Sequence, residues 1–139
     1  MIKMDYKGKI TNQEIPLFEG NNAYLRDFAI SNDENAPITA GLFRLEKGDT
    51  ITYEYTYEEM KLIIDGEFHI SDGSGEEVTA TAGDLFYFPK GSVITFRTDD
   101  YAVGYFVGQR GVDEAQSRLG CERRMWPATP RCCKSQGKG

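Results

Sequence analysis

The chain has 139 residues and a formal net charge of −6, with 40% hydrophobic and 27% charged residues, a balance typical of one globular domain with one core. No apolar run approaches the ~20 residues that a membrane-spanning helix needs. The first residues, MIKMDYKGK, lack the apolar region of a signal peptide, so we expect a cytoplasmic protein with no membrane partner.

Charge is distributed unevenly along the chain. Residues 1–108 contain 9 Lys and Arg against 19 Asp and Glu, whereas residues 109–139 contain 7 against 3. Nucleic-acid binding draws most of its affinity from clustered positive charge. The acidic body of the chain therefore predicts no nucleic-acid partner.

Short apolar or alternating runs follow one another from Lys7 to Val107. They are KGKI, EIPLF, AYLRDFAI, ITAGLFRL, TITYEY, EMKLIID, EFHIS, EVTATA, DLFYF, VITF and YAVGYFV. The segments between them are rich in Gly, Asn, Asp and Pro, which are turn residues. Strands of this composition and spacing predict an all-β fold, either an antiparallel sandwich or a small barrel, over residues 1–110.

Residues 111–139 form a predicted C-terminal extension of different composition. VDEAQSRLG has room for two helical turns that end at Gly120, a residue type favoured as a helix C-cap. The remainder is basic and contains two prolines, which is typical of a loose tail. The alternative is that Met125 and Trp126 dock on the barrel or on a partner subunit.

The three cysteines all lie in this extension, at Cys121, Cys132 and Cys133. An odd number with an adjacent pair is a poor disulfide framework. The spacing also matches no standard zinc site.

Two ordered blocks carry the most specific information. The first, GDTITYEYTYEEMKLIIDG, runs from Gly48 to Gly66, and the second, GDLFYFPKG, runs from Gly83 to Gly91. Together they resemble the two motifs of the cupin superfamily. The spacing from Glu59 to Gly66 fits the end of the first motif, and the Gly, Pro and Gly of the second block fit the second motif.

This resemblance implies a single-domain cupin, a double-stranded β-helix or jelly-roll barrel. The metal-binding histidines of the family are missing, because Tyr53 and Tyr55 stand at the His pair and Ile94 at the third histidine. The resemblance therefore implies a barrel without its usual metal, and we expect no cofactor.

Within the cupins, the chain is most similar to the ethanolamine-utilisation protein Q (EutQ) type, which also lacks the histidines. The matching residues of the first block are Tyr57, Glu58, Glu59 and Gly66, and those of the second are Gly83, Asp84 and Pro89 to Ser92.

There are two interpretations of which side chains point inward on the strand that contains Glu59. Side chains alternate along a strand, so the apolar pattern alone would bury Met60, Leu62 and Ile64 and would expose Glu59 and Lys61. The cupin motif implies the opposite, because its Glu points into the barrel. We favour the cupin register, since the two motifs fix it independently of the apolar pattern.

In the cupin register, the candidate catalytic residues are Glu59, Lys61, Tyr53, Tyr55 and His69. A Lys inside a barrel is prone to a lowered pKa and can serve as a base, while Glu59 can hold a proton. Tyrosine hydroxyls can position an oxygen ligand or protonate a leaving group. His69 is included because imidazole titrates near neutral pH, although a lone histidine is more often a surface residue.

A second set of residues is predicted to bind substrate. Phenols, apolar side chains and one guanidinium, which can pair with a carboxylate, make up this set: Tyr57, Tyr87, Ile94, Phe96, Tyr105 and Arg44.

Several functions are compatible with these residues. The first is a small cupin enzyme, of the lyase, isomerase or dehydratase type, acting on a small oxygenated metabolite by metal-independent acid-base chemistry. The alternative is a barrel that binds a small molecule without catalysis. The EutQ resemblance implies a further alternative, an accessory role in ethanolamine utilisation, including that group's acetate-kinase-like activity. The partners that we expect are a small-molecule substrate and a second copy of the chain in a homodimer.

Overall fold

A computed structural model describes residues 1–111, and ten β-strands account for about half of them. A single 3-10 turn, Ile10–Asn12, precedes β1 (Leu17–Glu19), β2 (Ala23–Ile30), β3 (Thr39–Glu46), β4 (Ile51–Glu54), β5 (Glu59–Gly66), β6 (Phe68–Ser71), β7 (Glu77–Ala80), β8 (Leu85–Phe88), β9 (Val93–Arg97) and β10 (Tyr101–Gly108). The predicted C-terminal helix, the three cysteines, Met125 and Trp126 lie outside the described residues.

The strands form two antiparallel sheets that face each other. One has six strands in the order β1-β2-β3-β10-β5-β8, and the other has four in the order β4-β9-β6-β7. Consecutive strands alternate between the sheets over much of the chain, which is the arrangement of a jelly roll. The predicted all-β fold is confirmed. The described part of the chain contains no helix with the length and apolarity that a membrane crossing requires.

Aromatic residues fill the space between the sheets. Phe43 on β3, Phe68 on β6, and Phe88 and Phe96 on β8 and β9 pack with ring centroids 5.4–5.9 Å apart. Stacked and edge-to-face contacts at such distances are favourable beyond the area that they bury. The barrel is therefore held together by a core that spans both sheets.

The inner face of β5 carries charge, as the cupin register predicts. Glu59 and Lys61 are each 3% exposed, whereas Met60 and Leu62 are 49% and 36% exposed. Ile63 continues the inner face and is fully buried. The apolar pattern of β5 alone gives the wrong face, because the outward side chains of this strand are the more apolar ones.

Gly66 ends β5 at a position that no other residue type can occupy without strain. Its φ is +72°, and a Cβ there would lie 2.2 Å from the carbonyl oxygen of Tyr101. This close approach of two backbones gives a physical reason for the glycine that ends the first motif. It also fixes where β5 begins to pair with β10.

The outer face of the six-stranded sheet is only partly covered. Ile10 and Ile15 from the N-terminal segment pack on a small apolar cluster formed by Phe28, Leu42 and Val103. An open groove of about 610 Å³ lies beside them. Further along the same sheet, an exposed apolar stripe remains without cover among the described residues and consists of Met60, Leu62, Leu85 and Tyr87.

Candidate functional site

A buried ion pair lies at the centre of the barrel. Lys61 Nζ is 3.1 Å from Glu59 Oε2, and the same oxygen accepts a hydrogen bond of 2.6 Å from the Tyr55 hydroxyl. Each charge that leaves water costs several kcal/mol unless an opposite charge and hydrogen bonds compensate. Tyr55 supplies part of that compensation, so the three side chains form one network.

Strand β4 and the loop that follows it bring three tyrosines together. The hydroxyls of Tyr53 and Tyr57 are 2.8 Å apart and hydrogen-bonded, and the ring of Tyr55 lies edge-on to both other rings. All three side chains are buried. The three tyrosines therefore point into the barrel together.

A second ion pair closes the same end of the barrel. Arg110, which follows β10, donates two hydrogen bonds of 2.9 and 3.0 Å to the carboxylate of Asp27 on β2. Its guanidinium carbon lies 5.6 Å from the centroid of the Tyr57 ring. Asp27 therefore balances a cation that borders the tyrosines.

Burial changes the acidity of these groups. It raises the pKa of Tyr53 and of Tyr55 well above the usual value, and a neighbouring ionisable group, Tyr57 for the first and Glu59 for the second, adds to the effect. Burial likewise raises the pKa of Tyr57 to about 12. It lowers the pKa of Lys61, against the opposing attraction of Glu59. The tyrosines therefore remain neutral hydrogen-bond donors at physiological pH.

The free space within this network is small. A central space of about 30 Å³ is lined by the ion pair, the three tyrosines and the apolar side chains Phe18, Leu25, Phe43, Ile51 and Phe96. A single ordered water requires at least ~10–15 Å³ measured in this way. The space therefore accommodates one or two waters or a ligand of comparable size.

His69 lies outside the barrel, contrary to its place in the predicted catalytic set. Its neighbours Phe68 and Ile70 point into the core, so alternation along β6 turns His69 outward. The two ring nitrogens lie 3.1 Å from Thr79 Oγ1 and from Asp99 Oδ2. His69 is thus a surface residue, and it has no contact with Glu59 or Lys61.

Three of the predicted substrate-binding residues also lie outside. Tyr87 is exposed and donates a hydrogen bond to Glu58, and Tyr105 packs on the outer apolar cluster. Arg44 faces the outer groove, where its Nε lies 2.8 Å from Glu46. For each of them, a neighbour one residue away in its strand occupies the inner face.

The remaining predicted residues are brought together. Tyr57 and Phe96 line the central space, and Ile94 is buried in the same core, paired across the sheet with Tyr53. Sequence reasoning missed Asp27 and Arg110, because neither lies in a motif and their pairing joins residues 83 positions apart. It also missed Phe43 and Phe106. The sequence shows their alternation along β3 and β10, but it does not show that they contact Lys61.

One group on the outer surface has the composition of a metal site. The ligand atoms of Glu67, His69 and Asp99 lie within 4.8 Å of one another. Inside the barrel, Glu59 is the one residue that matches a cupin metal ligand, and its Oε2 already binds Lys61 and Tyr55. Tyrosine hydroxyls with a raised pKa are poor ligands, so the barrel residues do not fit a divalent metal.

Comparison with known proteins places the chain in one family. The family model described as ethanolamine utilisation protein EutQ matches residues 14–109. The acetate kinase EutQ of Clostridioides difficile is 34% identical over 70 residues, which is 50% of this chain and 43% of that protein. The acetate kinase EutQ of Escherichia coli is 30% identical over 69 residues, 50% of this chain and 29% of that protein. The match thus spans less than half the length of these curated relatives.

Solved structures agree with the sequence matches. The EutQ protein of Clostridium difficile superposes with a TM-score of 0.62 at 26% identity, covering 76% of this chain and 86% of that one. An ethanolamine utilisation protein Q from Salmonella typhimurium gives 0.56 at 27% identity, covering 64% and 70%. A cupin superfamily protein from Desulfitobacterium hafniense gives 0.58 at 14% identity, covering 78% and 94%, which supports the fold alone.

The first prediction concerns the energetics of the buried pair. Lys61→Met leaves the carboxylate without its cation, and Glu59→Gln leaves the ammonium without its anion, so each is expected to lower the free energy of unfolding by about 3–5 kcal/mol. The double variant Glu59→Leu, Lys61→Met should lose far less, because it buries no charge. Chemical denaturation of the three variants measures these changes.

The exposed pair Asp5 and Lys7 is the matched control, since it has the same two-residue spacing and a distance of 2.7 Å. Lys7→Met should change the free energy of unfolding by less than about 0.5 kcal/mol. Equal, small effects at both pairs would contradict a buried ion pair.

The second prediction concerns metal. Because the barrel offers Glu59 as its one cupin ligand, we expect no equivalent of zinc, iron or nickel to be held there. Elemental analysis after purification without chelators measures the content. One equivalent of metal that is lost in Glu59→Ala and retained in His69→Ala would refute this, whereas the reverse pattern would assign the metal to the outer group.

Proposed function

The chain belongs to the EutQ family of ethanolamine utilisation proteins, and from this membership and the geometry of the barrel we propose that it is a metal-independent, non-catalytic accessory cupin of that pathway. In this proposal, the barrel binds one small oxygenated molecule at the centre of the tyrosine network. The hydroxyls of Tyr53 and Tyr57 and the network of Tyr55, Glu59 and Lys61 supply the hydrogen bonds.

The observation that carries this proposal is the size of the central space. At about 30 Å³ it is an order of magnitude smaller than the ~300–1,000 Å³ of usual metabolite pockets. Glu59, Lys61 and Tyr55 are also satisfied by one another, so none of them requires a substrate to compensate its burial. A filled, internally paired interior favours binding of something very small over turnover of a metabolite.

An enzyme is the second candidate, and one observation favours it. Tyr55, Glu59 and Lys61 form a continuous chain of proton-carrying groups with contacts of 2.6 and 3.1 Å. Burial lowers the pKa of Lys61, which brings an amine closer to the range of a general base. A lyase or isomerase working by acid-base chemistry would use these groups.

The kinase activity in the names of the curated relatives has weaker support here. Phosphoryl transfer needs a site that cradles phosphates, commonly a glycine-rich loop at a helix N-terminus. Residues 1–111 contain the segment GSGEE between β6 and β7, which joins two strands and precedes no helix. We therefore leave acetate phosphorylation as an outcome of the test.

The third prediction tests binding against turnover. Acetate should stabilise the wild-type protein against heat in a saturable way, because a small carboxylate can accept hydrogen bonds from the tyrosine hydroxyls. Tyr53→Phe should weaken this stabilisation, because it removes a hydroxyl at the central space. Tyr6→Phe is the matched control, since Tyr6 is exposed in the N-terminal segment.

An assay of the same samples for acetyl phosphate formation from acetate and ATP distinguishes the accessory role from an enzymatic one. We expect no formation above that of the variant Glu59→Leu, Lys61→Met. Turnover by the wild type that disappears in this variant would replace the accessory role with an enzymatic one. Absence of any acetate binding would remove the proposed ligand class.

We also propose a homodimer that forms through the outer face of the six-stranded sheet. An apolar stripe lies there and consists of Met60, Leu62, Leu85 and Tyr87. Burial of this apolar surface against a second copy would lower the free energy of the pair. A face shared by two identical chains makes a closed, two-fold interface.

The fourth prediction tests this interface by light scattering. The wild type should have the mass of a dimer at micromolar concentration, and Leu62→Lys should convert it to a monomer. Val78→Lys is the control, because Val78 is 47% exposed on the other sheet and the same change should leave the dimer intact. A monomeric wild type would contradict the proposal.

A further inference from the structure

The ammonium group of Lys61 has the surroundings that proteins use to bind free ammonium ligands. Its Nζ lies 4.9 Å from the ring centroid of Phe43, 5.2 Å from that of Phe106 and 5.3 Å from that of Phe96. Attraction between a cation and a ring face acts within about 6 Å and strengthens when water is excluded. With the Glu59 carboxylate at 3.1 Å, the three rings form what we call the ammonium cage.

The methylene groups of Lys61, which we call its stem, pass strand β10 at a position that has no side chain. Gly104 lies on β10, and a Cβ there would lie 3.0 Å from Lys61 Cδ and 3.1 Å from Lys61 Cγ. Contacts this short require the lysine stem to shift. The missing side chain of Gly104 therefore provides the space that the stem occupies.

We infer that Lys61 is the built-in occupant of an ammonium-binding site, that it makes the wild-type barrel reject free amines, and that shortening this side chain creates a receptor for small alkylammonium ions. Lys61 is in this sense the residue that determines the charge of the ligand that the barrel accepts. This goes beyond the proposed function, because it holds whether or not the barrel turns over a substrate.

The physical reason is that the cage still favours a cation after the Lys61 side chain has been removed. Lys61→Ala leaves Glu59 buried without a cation, leaves three ring faces without their charge, and opens a void beside the central space of about 30 Å³. n-Propylammonium has as many non-hydrogen atoms as the segment from Cγ to Nζ that the substitution removes. Protonated ethanolamine has the same number, with a hydroxyl in place of the terminal methyl group.

Chemical rescue tests the inference. The thermal midpoint of Lys61→Ala should rise in a saturable way with n-propylammonium and with ethanolamine, and it should rise less with hexylammonium, which is longer than the void. Propionate, which has a similar shape and the opposite charge, should bind at least tenfold more weakly than n-propylammonium. The wild type should show no saturable response to any of the amines.

Two matched variants separate the cage from general effects of salt. Lys47→Ala removes an exposed lysine, so amines should leave its midpoint unchanged. The double variant Glu59→Gln, Lys61→Ala retains the void and the rings but lacks the anion, so its affinity for n-propylammonium should fall at least tenfold. Equal responses of Lys61→Ala and Lys47→Ala to the amines would overturn the inference.

The test remains decisive if Lys61→Ala does not fold in buffer. The same amines should then restore the folded protein during refolding, and failure to do so would count against the cage. A measurement on the wild type is independent of any variant. In ¹⁵N-resolved NMR, the resonance of the Lys61 ammonium group should be shifted by the neighbouring ring faces. The Lys61 ammonium protons should also exchange with water more slowly than those of the other lysines. A Lys61 signal that matches the exposed lysines would overturn the inference.

Discussion

The ion pair of Glu59 and Lys61 constrains the rest of the barrel, because opposite charges persist in an apolar interior only where each remaining polar atom has a partner. Tyr55 donates to the carboxylate, and three phenylalanine rings surround the ammonium. These partners come from β3, β9, β10 and the loop after β4, so one pair on β5 dictates side chains on strands of both sheets. Replacement of any of them changes the environment of a buried charge as well as the packing of the core.

The second pair extends this constraint to the end of β10. Arg110 and Asp27 are both buried, and the guanidinium lies within reach of the Tyr57 and Phe106 rings. Phe106 therefore contacts both cations, Lys61 and Arg110, from one position on β10. The barrel contains two cations and two carboxylates in this region, so its interior is close to neutral overall. Such a balance allows several ionisable groups to share one apolar core.

The sequence predicts the fold well because turn residues and strand composition are local signals. The two glycine-bounded blocks fixed the register of β5 and brought Glu59, Lys61 and the three tyrosines to one face, as the structure confirms. The placement of His69, Tyr87, Tyr105 and Arg44 required knowledge of which neighbour in each strand takes the inner face. The pair of Arg110 with Asp27 depends on a contact between distant segments, for which a single sequence carries no signal.

The register of β5 is the point at which local preference and the global fold disagree. A shift by one residue would bury Met60, Leu62 and Ile64 and would expose the charged pair, which the hydrophobic effect alone favours. Two backbone features oppose that shift: the close approach of Gly66 to Tyr101, and the irregular pairing of β5 with β10 between Val103 and Gly104. Natural sequences accept such local conflicts mainly where a site requires them. The proposed ligand on the inside of β5 and the proposed second copy on its outside both rest on this charged inner face and apolar outer face.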